Sequence, residues 1–157
     1  MIEGRPVVWL YASAFAKKYD ASAIEYLKEH FARDFGGKTP YIVREVSWNV
    51  PADSSYAWGA ALGAMVHGVA GVGPGYDHRA VPGRQPLVRD REGGKFYARS
   101  WEHILSLDPQ RRPHIAVVET WNELHEGTDI CDSREYGRQY IEMTARYAAR
   151  FKKGERL

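Results

Sequence analysis

The chain has 157 residues, 44% of them hydrophobic and 27% charged, with a net charge of +2. That balance excludes a disordered chain, and the scattered Lys and Arg form no basic stripe for nucleic acid. No apolar run approaches the roughly 18–20 residues of a membrane span.

The first residues, MIEGRPVVWLY, lack the long apolar core of a signal peptide, and this leaves the compartment open. Val7–Tyr11 is a short apolar run with the pattern of a buried strand. Asp20 can cap a helix over residues 21–35, in which Ile24, Leu27 and Phe31 recur at helical spacing and Gly36-Gly37 forms the stop. Tyr41–Trp48 reads as the second strand, followed by an Asn49-Val50-Pro51 turn. Ser54 or Ser55 can cap a short helix that runs to Leu62. His67–Val72 is the third strand, glycine-containing and so open to close backbone approach. Gly73–Arg91 is a long loop rich in Gly, Pro and Arg, and loops of that length in compact domains are often functional. A helix over Lys95–Leu107, a strand over His114–Trp121 and a helix over Arg134–Lys152 complete the chain. Its only cysteine, Cys131, allows no intrachain disulfide.

The order βαβαβαβα predicts an α/β fold of parallel (β/α) units. No GxGxxG follows the first strand, which argues against a dinucleotide site and leaves no cofactor to expect. A TIM-type (β/α)8 barrel needs eight such units and about 250 residues. Residues 1–157 therefore read as a single (β/α)4 half-barrel domain, the C-terminal half of a longer barrel. An N-terminal half or a second copy would supply the rest of a barrel; a sheet that stays open, as in a doubly wound fold, also satisfies the element order. Polar residues gather at the strand ends, the edge that carries the site in such folds.

The segment Glu119–Ile130 (ETWNELHEGTDI) holds the densest chemistry. Strand alternation places Glu119, Trp121 and Glu123 on one face. A buried carboxylate such as Glu119 needs a partner, with Arg44 and Arg99 as structural candidates, or it serves a ligand. Glu123 and Glu126 stand three residues apart with His125 between them. Glycosidic cleavage uses two carboxyl groups about 5–9.5 Å apart, one protonated and one ionised, and neighbouring carboxylates push their proton affinities apart. A solvated acidic loop is the plain alternative. Tyr76 and Asp77 can hold sugar hydroxyls or simply make a turn. Trp48 and Trp121 are candidate stacking platforms, and aromatics make up 13% of the chain. Asn122 and His125 complete the substrate-binding set. Glu123, His125, Glu126 and Asp129 could each ligate a metal, but adjacent positions seldom converge on one ion and no HExxH occurs, so no metal is expected.

Asn122–Gly127 (NELHEG), followed by Thr128-Asp129-Ile130, resembles the NEWHEGT-x-I segment of family 99 glycoside hydrolases and related domains, with Leu124 in place of the usual Trp. Gly73–Asp77 (GPGYD) is similar to the SPGYDDT loop of the same group, with His78 where a second Asp often stands. The resemblance runs from about Gly71 to the C-terminus and fades upstream. It implies a (β/α)8 barrel acting on α-linked mannose or a similar sugar by a retaining, endo-acting mechanism without an enzyme nucleophile. Carried over by position, Glu123 would take the proton of the sugar 2-hydroxyl, which attacks C1. Glu126 would protonate the leaving oxygen. A non-catalytic carbohydrate-binding or interaction domain is the second reading, and a sugar transferase the third.

Overall fold

A computed structural model describes residues 1–155. They fall into two compact units, Met1–Trp58 and the described residues from Gly59 onward.

The first unit is a three-stranded parallel sheet, β1 (Val7–Leu10), β2 (Tyr41–Glu45) and β3 (Ser54–Tyr56), with β2 in the middle. One helix, α1 (Ala23–Asp34), links β1 to β2. Asp20 accepts from the Ser22 amide at 2.9 Å in the turn before the helix, and Ser22, not Asp20 as expected, holds the cap position. At the other end Gly37 donates to the Ala32 carbonyl at 2.8 Å, with Gly36 and Gly37 both at positive φ. This is the left-handed stop that glycine makes inexpensive. Ile24 and Leu27 of α1 pack with Val8, Leu10 and Ile42 on one sheet face. Trp9, Val43 and Tyr56 share the other, where the Trp9 and Tyr56 rings lie 4.7 Å apart.

The expected helix over 54–62 does not form. Its first residues are β3, and only Ala60–Leu62, in the second unit, make a turn of 3-10 helix. Asp53 accounts for the strand. Its amide donates to the Ile42 carbonyl and its carboxylate accepts from the Ile42 amide at 2.8 Å, while Arg5 and Lys28 pair with the same carboxylate. Those bonds draw the chain into the sheet, and they outweigh the weak helical preference of two serines.

In the second unit β5 (Ala70–Val72) pairs with β8 (Ala116–Val118) in parallel and with β4 (Met65–Val66) in antiparallel. The third expected strand is thus the second half of a hairpin. The long loop contains its own two-stranded ribbon, β6 (Tyr76–Asp77) with β7 (Val88–Arg89). Two helices, α2 (Lys95–Ser106) and α3 (Gln139–Lys152), cover the β5–β8 pair. Val72, Tyr97, Trp101, Ile104, Leu105, Tyr140 and Tyr147 form the core. The Tyr97 hydroxyl meets Thr144 across the two helices at 2.8 Å. α3 begins later than Arg134, because Ser133 and Gly137 exchange backbone hydrogen bonds in a tight turn with Gly137 at φ 52°.

The architecture is α/β with three parallel strand pairs, and its two antiparallel pairs depart from a run of uniform (β/α) units. Among the described residues no helix is long and apolar enough to cross a membrane.

Candidate functional site

The site is built on the residues that follow β8. The strand ends at Val118, so alternation does not continue to Glu123, and Glu119, Trp121 and Glu123 do not share a face as expected. Glu119 is 1% exposed and Trp121 is 59% exposed. The Glu119 carboxylate accepts from the Gly59 amide at 2.9 Å and the Ala61 amide at 3.4 Å. Neither expected arginine is its partner. Arg99 pairs with Glu92 at 2.7 Å, and Arg44 donates to the Trp48 carbonyl within the first unit. Burial pushes the Glu119 carboxyl up to about 6, against the amides of Gly59, Ala61 and Ala60, whose hydrogen bonds favour the ionised form. Gly73 is required beside it. A Cβ there would lie 2.5 Å from the Ala61 Cα and 2.6 Å from the Glu119 carbonyl oxygen.

From Thr120 to Cys131 the chain forms a closed loop. The Thr120 amide donates to the Thr128 carbonyl, the two hydroxyls meet at 2.8 Å, and Ile130 and Cys131 donate back to Trp121. Thr128, Asp129 and Ile130 are buried at the loop's base. Its tip is a turn of 3-10 helix, Leu124–Glu126, ended by Gly127 at φ 58°. Asn122 and Trp121 are solvent-facing, as is Leu124. His125 Nδ1 lies 2.9 Å from Glu123 Oε1. Glu126 accepts from Arg84 Nη1 at 3.1 Å, and its charge acts on the nearby Tyr76 phenol.

The β6 strap reaches this tip because Gly127 has no side chain. A Cβ on Gly127 would be 3.2 Å from both the Asp77 Cβ and the Asp77 amide nitrogen. Burial raises the Tyr76 phenol, and the adjoining Glu126 carboxylate raises it further against Arg84. Asp77 does not present a free carboxylate to a ligand. The Arg79 side chain and then the Arg79 amide bond it, and they pull it down to about 2. That is the turn reading of Asp77, made local. His78 is buried, with Nδ1 2.8 Å from the Tyr76 hydroxyl and Nε2 2.6 Å from the Gln85 carbonyl. Sequence reasoning noted His78 only as a departure from a motif. Yet Tyr76 and His78, two apart in an extended strap, fall on one face by simple alternation.

A second anchor lies under the loop. Arg91 donates to Asp129 at 2.8 Å and to the Gly127 carbonyl at 3.0 Å, and its guanidinium lies over the Tyr136 and Tyr140 rings. Arg91 was not among the sequence candidates. An arginine inside a loop full of arginines carries no signal of burial.

The structure therefore brings Tyr76, Asp77, Glu123, His125 and Glu126 to one tip, with Glu119 beneath it. Trp48 belongs to the first unit, where its ring lies 4.7 Å from that of Tyr19 and its indole N–H donates to the Tyr11 carbonyl. A cleft of about 720 Å³ opens beside the loop between Asp77, Arg79, His125, Asp132 and Glu135; Glu123 and Glu126 are not among its lining residues. Among the described residues no three His, Cys, Asp or Glu side chains gather as they would around a metal ion.

A family model described as "Domain of unknown function (DUF5010)" matches residues 1–156. Two curated relatives are each named "Glycoprotein endo-alpha-1,2-mannosidase-like protein". The one from Danio rerio is 31% identical over 100 residues, covering 54% of this chain and 22% of that protein. The one from Mus musculus is 31% identical over 98 residues, covering 53% and 21%. The chain thus matches about a fifth of the length of these relatives. Among solved structures, the GH99 endo-alpha-mannosidase from Bacteroides thetaiotaomicron superposes on all of this chain and 57% of its own, with TM-score 0.67 and 20% identity. A structure described as a glycoside hydrolase-like protein gives TM-score 0.66 at 13% identity, over 100% of this chain and 56% of its own. At those identities the likeness is one of fold.

Proposed function

Because the chain belongs to the DUF5010 family, and shares its fold with a GH99 endo-alpha-mannosidase structure, we propose that it forms part of a glycoside hydrolase of the family 99 type. In this reading residues 1–157 are the C-terminal half of a (β/α)8 barrel and the substrate is an α-linked mannoside or a similar glycan. The observation that carries the reading is the loop tip. Glu123 and Glu126 sit on one turn, each with a different partner, His125 and Arg84.

Carried over by position from the family motif, the two acids have different tasks. Glu123, which His125 orients, takes the proton from the sugar 2-hydroxyl as that oxygen attacks C1. Glu126 gives its proton to the leaving oxygen as that bond breaks; water then attacks C1 and opens the C1–O2 bond, with Glu126 taking the water's proton and Glu123 returning its own to O2. Arg84 holds Glu126 in place. Trp121 and Asn122, both exposed, are available to a sugar. Glu119 is buried under backbone amides, and it supports the loop instead of touching substrate.

Replacing Glu126 with Gln should lower cleavage of an α-mannoside by at least ~100-fold, the lower end of what one proton donor supplies, while glycan binding persists. Equal turnover by Glu126→Gln and wild type would remove the reading. A non-catalytic glycan-binding domain is the second possibility. It is favoured by the cleft of about 720 Å³ that the two glutamates do not line. Calorimetry showing glycan binding without turnover, in a protein with the complete barrel, would select it.

A further inference from the structure

The first unit carries aromatic rings at two levels of its sheet. At the lower level Trp9 of β1 and Tyr56 of β3 meet over the middle strand, ring centroids 4.7 Å apart, and Tyr56 is buried. Two residues further along the chain from each, Tyr11 and Trp58 meet at a right angle, 5.1 Å apart. Phe15 then stacks on Tyr11 at 5.6 Å, with the ring planes 25° apart. This upper group lies in the open. Tyr11 is 45% exposed, Trp58 43% and Phe15 80%. β1 ends at Leu10 and β3 at Tyr56, so the exposed rings stand past the carboxyl ends of parallel strands, the edge that carries sites in such sheets.

The exposed rings are held, not loose. Trp48, just past β2, donates its indole N–H to the Tyr11 carbonyl. The Ser13 amide donates to the Ser47 hydroxyl at 3.0 Å, and the Ser13 hydroxyl to the Ser47 carbonyl at 3.2 Å. These bonds tie the 3-10 turn Ser13–Phe15 to the end of β2. A ligand that meets rings already fixed in place loses little to ordering them. Ser47 and Asn49, exposed on the same stretch after β2, put polar groups near the rings.

Three contiguous exposed aromatics on one edge mark a contact surface. A pyranose has an apolar face of C–H groups and a rim of hydroxyls. Two ring faces at a right angle with a polar fringe match that shape: one ring takes the C–H face, the other closes one side, and the hydroxyls turn to the fringe and to water. We propose that Tyr11, Phe15 and Trp58 form a sugar-stacking subsite that takes one pyranose residue of a glycan. The inference rests on the carbohydrate reading given above, but on no residue of the loop tip.

The test is a titration of the whole chain with an α-1,2-linked mannotriose, followed in ¹H–¹⁵N spectra. The indole N–H signal of Trp58, assigned through Trp58→Ala, should move, and that of the buried Trp101 should stay. Trp58→Ala and Phe15→Leu should each weaken binding roughly 3–10-fold, the size of one lost ring contact. Phe15→Leu keeps an apolar side chain at an exposed position and removes only the ring. A Trp58 signal that does not move at any trisaccharide concentration overturns the proposal, as does unchanged affinity in Phe15→Leu. Sedimentation showing a dimer that Phe15→Leu dissolves, with no response to sugar, assigns the rings to a second copy and also overturns it. A sugar-dependent Trp58 shift in a protein that cleaves no mannoside counts against the proposed reaction alone, and cleavage with a still Trp58 counts against the subsite alone.

Discussion

Glu119 and Glu126 lie on one segment, seven residues apart, and meet opposite conditions. At the base of the loop Glu119 is 1% exposed, held by backbone amides and pushed up to about 6 by burial. At the tip Glu126 is held by side chains from another loop, among them an Arg84 that is itself 56% exposed. The base is held by main-chain amides of Gly59 and Ala61. The tip is set by side chains that can be exchanged. Acids with the same chemistry thus become support in one place and candidate chemistry in the other.

The contrast sets an order of expected effects. Arg91→Met should be the most damaging, at about 3–5 kcal/mol of stability, because it leaves Asp129 charged and buried beneath the loop; urea unfolding would measure it, and a loss of less than ~1 kcal/mol would show that the base is not anchored there. Next is Gly73→Ala, at roughly 3 kcal/mol, since the added methyl meets backbone of Ala61 and Glu119 on both sides.

Glu119→Gln should act through pH. The folded carboxyl is raised from 4.5 to about 6, so the folded state holds the proton more tightly than the unfolded one. Stability is then full below about pH 4.5 and falls by about 2 kcal/mol as pH rises to about 6, with no further change above. In Glu119→Gln that decline should disappear, a difference read from urea midpoints of both proteins at pH 4.5 and 7. Least affected should be Arg84→Ala, which removes an exposed pair and should cost less than ~1 kcal/mol. A larger loss would place the tip among the structural contacts and erase its distinction from the base.

The same contrast explains what could be read from the sequence. The three helices were readable because their apolar residues repeat at helical spacing, as with Ile24, Leu27 and Phe31 or Trp101, Ile104 and Leu105. The carboxylate tip was readable because Glu123, His125 and Glu126 are dense in a short motif. Strand ends were not. The expected strand runs on through Glu119-Thr120-Trp121, and nothing in the sequence says that pairing stops at Val118. β3 is three residues long and owes its pairing to Asp53, a contact that no periodicity encodes. The anchors Arg91 and His78 were hidden for a related reason. Each sits in a polar loop, and only the fold buries it.

One feature of the loop bears on how the protein reaches its native state. Arg84 meets Glu126, and Arg91 meets Gly127 and Asp129, across 36 to 42 residues of chain, with all of α2 between them. Such contacts repay their closure entropy late. During synthesis the Tyr76 strap emerges before the segment it binds, and Arg84 and Arg91 meet their partners only once that segment is made. The contacts across α2 and α3 and between β5 and β8 span still more chain, 47 residues from Tyr97 to Thr144, so the tip closes within the same long-range assembly as the core.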